Sequence, residues 1–506
     1  MPLFSNYINS RNIISSQETS PQDTSPQDAS LRETDMSAAD AETQNMTVPN
    51  PEGTVNTDTS DPGSPSDAVP PTTSETESTT SDPTSSPADN VNTSSDAEST
   101  GTLQISVVSS LGLIPVENAT VTITYTGDPG IPLETLTTDS SGQTSTVTLS
   151  APPIALSLDP DTETQPYSEY NITVTAEGYE PVLVSGSELL PDRLSLQPIV
   201  MNPLGNTDEE EKRVFIPVHT LFGDYPPKIP EEEIKPLAES GEIVLSRVVI
   251  PEYVIVHDGV PSDSSAPNYW VRYKDYIKNV ASCEIYSTWP EAAIYANILV
   301  IMSVTLNRVF TEWYRNQGYN FTITSSTAYD QKWIYGRNIF ENIDRLVDTV
   351  FANYLARPGV RQPIFTSYCD GSRVTCNGLS QWGSKYLADE GYSAIEIIRY
   401  YYGNDMYIAS ATAISGVPSS YPGYELTVGA SGDKVRQLQN QLNRIAKNYP
   451  ALPTVTADGV YGPATADAIR TFQGIFGLPQ TGVTDYATWY EVSDIYVGVT
   501  RIAEPG

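Results

Sequence analysis

Histidine is nearly absent from this 506-residue chain, which has only His219 and His257. That scarcity argues against a multi-histidine metal site and against a histidine proton relay. Cysteine is almost as rare. Cys283, Cys369 and Cys376 are too few to form a disulfide framework for a protein this long. HExxH and GxSxG are both missing, so any catalysis is expected to rest on carboxylates. Basic residues are scarce too, 27 against 63 acidic ones, for a net charge of −36. That balance argues against nucleic acid or an anionic membrane as partner. No apolar run reads as a membrane span. The first twenty residues lack the charged and apolar regions of a secretory leader, so the expectation is either no export or export by another route. At this length one hydrophobic core does not suffice, and several domains are expected.

Composition then divides the chain. Residues 1–100 are Ser, Thr, Asp, Glu and Pro with a short tandem, SPQDTSPQDAS, and their only basic side chains are Arg11 and Arg32. Such a segment buries too little apolar surface to offset its chain entropy, and is expected to be a disordered tail. From 101 to 203 short alternating strands follow one another: LQISVVSS, ATVTITYTG, TSTVTLSAP, YNITVTAEGY and LSLQPIVM. Turn signals at 127–130 and 139–142 separate them, which predicts a small antiparallel β-sandwich. IPVENATVTI, TDSSGQTSTVTL and AEGYEP resemble the carboxypeptidase regulatory-like sandwich, a resemblance that implies a spacer or adhesion module. Residues 204–248 are acidic and contain several prolines, and read as a linker. A mixed α+β region spans 249–412, a second linker 413–424, and a last module 425–506.

In the last module Val435, Leu438, Leu442 and Ile445 recur at helical spacing. A turn at Asp458-Gly459 leads to a second helix, with Ala468, Ile469 and Phe472 inward and Gly477 as its stop. A short third helix ends near Trp489. The pattern G-x-x-G-x-x-V-x-x-L-Q, D-G-x-Y-G-x-x-T, F-Q, G-L and T-G resembles the type 1 peptidoglycan-binding family. That likeness implies a small three-helix bundle with its ligand groove among Asp458, Tyr461, Gly462 and Thr465.

The mixed region carries the candidate chemistry. Thr288-Trp-Pro-Glu291 reads as a capping box that opens a helix, continued by Ile294, Ile298, Ile301, Thr305 and Val309. Glu284 stands just upstream among Cys283, Ile285, Tyr286 and Trp289. A carboxyl group in such company is expected to titrate high and to serve as an acid, with the dipole of the following helix opposing the shift. Downstream come a polar aromatic loop, SSTAYDQKWIYG, and a glycine-rich turn, CNGLSQWGSKYLADEGYSAIEIIRYYYG. In order and combination these phrases resemble the SpoIID/LytB family, with its E-x-P-x-S-W-P start, D-Q-x-Y loop and G-x-S-Q-x-G-A turn.

The resemblance implies a lytic transglycosylase acting on peptidoglycan glycan strands, with Glu284 as catalytic acid and then base. It also implies substrate contacts from Trp289, Tyr329, Gln331, Ser380, Gln381 and Trp382. This chain departs from the family at the G-H-G-V-G-M-S-Q phrase, where it has Thr375-Cys376-Asn377-Gly378-Leu379-Ser380-Gln381. The family's histidine is missing, so no zinc and no other cofactor is expected. Cys369 and Cys376 could form a disulfide, half of a metal site or a pair of ordinary loop cysteines, the last being the expectation. The domain order is similar to that of the clostridial spore cortex-lytic enzymes. This implies action in the cell wall or spore cortex, synthesis in the mother cell, and activation by a subtilisin-like protease. A non-catalytic wall-binding protein, akin to the amidase enhancers of the same family, is the alternative.

Overall fold

The computed structural model describes residues 99–111, 113–205, 211–236, 247–415 and 421–500. Residues 1–98 of the expected disordered tail lie outside the described residues, as do parts of both expected linkers, and the last tail residue, Thr100, begins the first strand.

The Val/Ile/Thr alternation produces two facing sheets. In β2 (Thr120–Tyr125) Val121 and Ile123 point inward, while the threonines between them face outward. One sheet has the order β3 (Asp128–Thr137), β2, β5 (Ser168–Thr175), β6 (Val182–Leu189) and β8 (Lys212–Phe215). The other runs β7 (Leu194–Met201), β1 (Thr100–Ser109) and β4 (Val147–Ser150). The sandwich is not purely antiparallel, because β1 pairs with β7 and β6 with β8 in parallel. β3 and β6 were not expected as strands. β3 is an exposed edge whose Pro and Gly residues read as turn, and Gly186 interrupts β6.

The sandwich is not a detached spacer. A two-residue strand, Ile339–Phe340, extends the second sheet by pairing with β7. Cys283 and Ile334, both from the mixed region, complete the sandwich core. Arg337 forms a two-pronged ion pair with Glu188 of β6 at 2.6 and 2.8 Å, with both side chains buried.

In the mixed region α1 (Tyr273–Glu284) and α2 (Glu291–Phe310) lie side by side in the core. Around them pack α3 (Glu341–Val350), α4 (Gln381–Asp389) and α5 (Ala394–Tyr402). By length and composition α2 passes for a membrane span, contrary to the sequence reading, but most of its residues are buried inside the protein. The capping box expected at its start does not form. Glu291 is the first helical residue and exposed, and the Thr288 hydroxyl instead donates to Ser157 Oγ at 2.8 Å. A capping box does open α5, between Ser393 and Glu396.

The last module consists of α6 (Asp433–Ile445), α7 (Pro463–Ile475) and α8 (Tyr486–Thr500). The expected stripe, Val435, Leu438, Leu442 and Ile445, is fully buried. α8 runs well past Trp489, and its apolar face belongs to the same core as α1 and α2. Lys274 of α1 reaches Glu491 at 2.6 Å and Asp494 at 2.9 Å on α8, and Asp348 of α3 at 3.4 Å.

The stretch expected to be a linker is packed over its described part, 211–236. His219 is buried, its ring 4.5 Å from that of Tyr286. Glu231 pairs with Arg308 and Glu233 with Arg357. Proline and acidic residues read as solvated chain, but here they meet the buried Arg308 and the half-buried Arg357 far along the sequence. We call 217–236 the strap.

Candidate functional site

Glu284 is the last residue of α1, not part of the lead into α2. Its position at the negative end of a helix reverses the expected dipole effect, which here opposes ionisation. The side chain is 4% exposed. Oε1 accepts from the Lys332 backbone N–H at 2.7 Å, and Oε2 from the Tyr368 hydroxyl at 2.5 Å. Burial pushes the carboxyl above its ordinary range, against the pull of Lys228 and these two donors.

Glu284 opens onto a cleft of about 210 Å³. The strap forms one wall through Thr220, Tyr225 and Lys228. The opposite wall carries Tyr368, Arg373 and Gln381. Thr220 binds the Cys283 carbonyl with both its backbone N–H (3.2 Å) and its hydroxyl (2.9 Å), tying the strap to the end of α1. Arg373 donates to the carbonyls of Phe222 and Gly223 on the strap.

Of the residues named from sequence, Gln381 meets Glu284 directly. It lines the cleft, and its amide donates to the Glu284 carbonyl at 3.1 Å. Ser380 caps α4 by accepting from Gly383 N–H at 2.9 Å. Trp289 and Trp382 are buried with rings 4.8 Å apart, and the Trp289 indole donates to the Ser157 carbonyl at 3.0 Å. Both rings pack against Tyr286, two residues past the end of α1, and neither is part of the cleft lining. Gln331 is buried against Tyr276, Thr305 and Ile301. Tyr329 also stands apart from the cleft lining, and its carbonyl accepts from Arg308. The D-Q loop thus serves through its backbone: Asp330 is locked by Arg308 (2.6 Å), Tyr314 and Thr324, which presents the Lys332 N–H. Those partners hold Asp330 below the usual carboxylate range against the cost of its burial.

Cys369 and Cys376 form a disulfide, Cα atoms 6.1 Å apart, where ordinary loop cysteines were expected. It closes the short loop that carries Asp370 and Arg373. Gly378 sits where a Cβ would come within 1.9 Å of the Ser367 carbonyl, so the glycine-rich turn has no room for a side chain. With both thiolates consumed and Asn377 in the phrase that carries the family's histidine, the residues present do not fit a zinc site. Among the described residues no group of three or more His, Cys, Asp or Glu side chains is arranged to hold a metal. Both histidines are structural. Burial holds His219 well below its ordinary range, and His257 stacks on Phe321 and contacts Asn268.

Sequence reasoning missed Lys228 and Tyr368. The only local signal is the Pro226-Pro227 pair, which fixes an extended backbone just before the lysine.

In the last module Asp458 is exposed and accepts from Gln439 and from Val460 N–H. Tyr461 is fully buried, its hydroxyl 3.0 Å from both the Gly482 carbonyl and Thr484. Thr465 is buried beside Gln439 at 3.2 Å. Of the four residues named for the ligand groove, Asp458 and the half-buried Gly462 therefore reach the surface.

Residues 431–491 match the family model described as "Putative peptidoglycan binding domain". The chain is 41% identical over 68 residues to the zinc D-Ala-D-Ala carboxypeptidase of Streptomyces albus G. That match covers 13% of this chain and 25% of the relative, so the chain spans about a quarter of the relative's length. Among solved structures, the minor pilin GBS52 of Streptococcus agalactiae matches 22% of this chain and 48% of its own, at 15% identity and a TM-score of 0.16. A protein from Eubacterium rectale, solved by NMR, matches 22% of this chain and 97% of its own at 14% identity, with a TM-score of 0.13. At those scores neither likeness bears on the fold. The chain thus carries, at residues 431–491, a segment similar to type 1 peptidoglycan-binding domains.

Proposed function

We propose that the protein is a peptidoglycan lytic transglycosylase whose C-terminal domain anchors it to the wall and whose Glu284 breaks the glycan strand. The observation that carries this reading is a single buried, protonatable carboxyl group at the floor of a cleft. The other carboxylates there are engaged or exposed: Asp330 is bound to Arg308, Asp370 accepts from Ser372 and Val374 N–H, and Asp224 is exposed. One carboxyl suffices if the substrate supplies its own nucleophile. Glu284 protonates the leaving GlcNAc O4 as the C1–O4 bond of MurNAc breaks. The MurNAc C6 hydroxyl oxygen then bonds to C1 and returns its proton to Glu284, leaving a 1,6-anhydro sugar. The SpoIID/LytB-like phrases and the type 1 domain support the same reading. So does the domain order, similar to that of the clostridial cortex-lytic enzyme SleC, which favours the spore cortex as the site of action and a subtilisin-like protease as activator.

A non-catalytic wall-binding role is the second reading. It is favoured by the cleft volume, about 210 Å³, against roughly 300–1,000 Å³ for ordinary small-ligand sites. Mass spectrometry of peptidoglycan digested by the full chain separates the two. The wild type should release anhydro-muramic ends, and Glu284→Gln should reduce their release by about 10²–10⁴-fold while co-sedimentation with peptidoglycan persists. Glu291→Gln, at an exposed site, is the control. No anhydro ends from the wild type, even after proteolytic activation, would decide for the second reading.

A further inference from the structure

The strap lies outside the stretch that carries the family-like phrases, yet it brings a cation into the cleft. Pro226 and Pro227 hold the chain extended, and two hydrogen bonds pin it there. The Thr327 hydroxyl donates to the Pro226 carbonyl at 3.3 Å, and Ile229 N–H donates to the Ala328 carbonyl at 2.7 Å. Between these anchors the half-buried Lys228 points inward. Its ammonium donates to the Asp330 carbonyl and lies 4.2 Å from the centre of the Tyr368 ring. The hydroxyl of that same ring donates to Glu284 Oε2. Lysine and glutamate thus share one tyrosine.

We propose that Lys228 is a positioning residue for Glu284, and that the strap is a working part of the site, not a cover over it. The proposal rests on the reading of Glu284 as the acid. The titratable groups that act on that carboxyl or line its cleft are Tyr276 and Cys283 on its own helix, Asp224, Tyr225 and Lys228 on the strap, Asp330 and Lys332 on the loop, and Tyr368, Asp370 and Arg373 from the disulfide-closed segment and the residue before it. The α4 neighbour, Gln381, is uncharged. Asp330 is neutralised by Arg308, and burial pushes the Cys283 thiol up to about 12. Among the cations Lys228 acts most strongly on Glu284, ahead of Lys332. Burial lowers the lysine and raises the glutamate, and each charge resists that effect on the other. An acid that must also become a carboxylate within one turnover needs such a counter-charge, and too much desolvation would leave it a poor base.

The test is Lys228→Met beside Lys228→Arg in the full chain. Removing the ammonium disfavours the carboxylate, so Glu284 should hold its proton to higher pH. The alkaline limb of kcat/KM for anhydro-muramic release should shift to higher pH in Lys228→Met and return in Lys228→Arg. Infrared titration reads the same change without turnover, because the Glu284 carboxylic C=O band is identified by its loss in Glu284→Gln. That band should persist to higher pH in Lys228→Met. A lower melting temperature with both band and limb unmoved would overturn the proposal, leaving Lys228 a purely structural residue. Faster release at every pH with an unmoved limb would overturn it in favour of a covering strap. A shifted band in a protein that releases no anhydro sugar would support the Lys228–Glu284 coupling and overturn the transglycosylase reading instead.

Discussion

If the sandwich and the mixed region form one body, breaking the Glu188–Arg337 pair should unsettle both together. Glu188 is on β6, while Arg337 also donates from Nε to the Ser282 carbonyl at 2.9 Å, two residues before Glu284. Both side chains are about 1% exposed, so neither lone partner could turn to water. Removing one partner of a buried pair costs about 3–5 kcal/mol, because the other charge stays behind. Arg337→Met and Glu188→Met should each fall in that range. The double variant strands no charge and should lose only the bond to Ser282, about 1–3 kcal/mol. The cycle should therefore return a coupling energy of about 3 kcal/mol or more, measured by urea denaturation and calorimetry. All variants should lower one shared transition. Additive costs, or a sandwich transition that melts separately and does not move, would refute the reasoning.

Two further predictions concern other parts of the protein. The disulfide closes a loop with sequence separation 7, so replacing both Cys369 and Cys376 by Ser should cost about 2–3 kcal/mol on the chain-entropy model. The melting temperature of wild type with and without reductant reads this, and no change in either would contradict it. Glu491, buried beside Lys274, is pushed up to about 7, chiefly by burial. Because its folded pKa lies above the ordinary glutamate value of 4.5, the stability it confers is present below that value and lost as pH rises to about 7. Glu491→Gln should flatten the stability profile over that window, and an unchanged slope would count against the burial argument.

What the sequence made legible was periodicity. The α6 stripe, the threonine–valine alternation of β2 and the glycine that ends α7 are local patterns, and local physics decides them. What it hid was long-range pairing. TWPE has the residues of a capping box, but Ser157, 131 positions away, takes the threonine hydroxyl instead. The strap looked like solvated chain because its acids meet Arg308 and Arg357 only after folding. α1 went unread because its lysines, Lys274 and Lys278, resemble surface residues. Both are buried, and acids from α3 and α8 neutralise them. Glu284 is buried, as a carboxyl among apolar residues is expected to be, but it ends α1 where the sequence placed it in the lead into α2.

These misplacements share a cause that bears on function. A carboxyl that must stay protonated needs a dry setting, and a dry setting costs stability wherever a charge is made within it. No single segment here supplies that dryness. Cys283, the neighbour of Glu284, enters the sandwich core, the strap binds the Cys283 carbonyl, and Trp289 and Trp382 pack against Tyr286. The ion pairs that fasten these pieces, Glu188–Arg337 and Glu231–Arg308, lie away from the cleft lining. Their strength can hold the frame without adding a fixed counter-charge at the Glu284 carboxyl. Of the cations that act on that carboxyl, Lys228 stands ahead of Lys332. The frame keeps Glu284 buried, and on our proposal the strap sets how readily it gives up its proton.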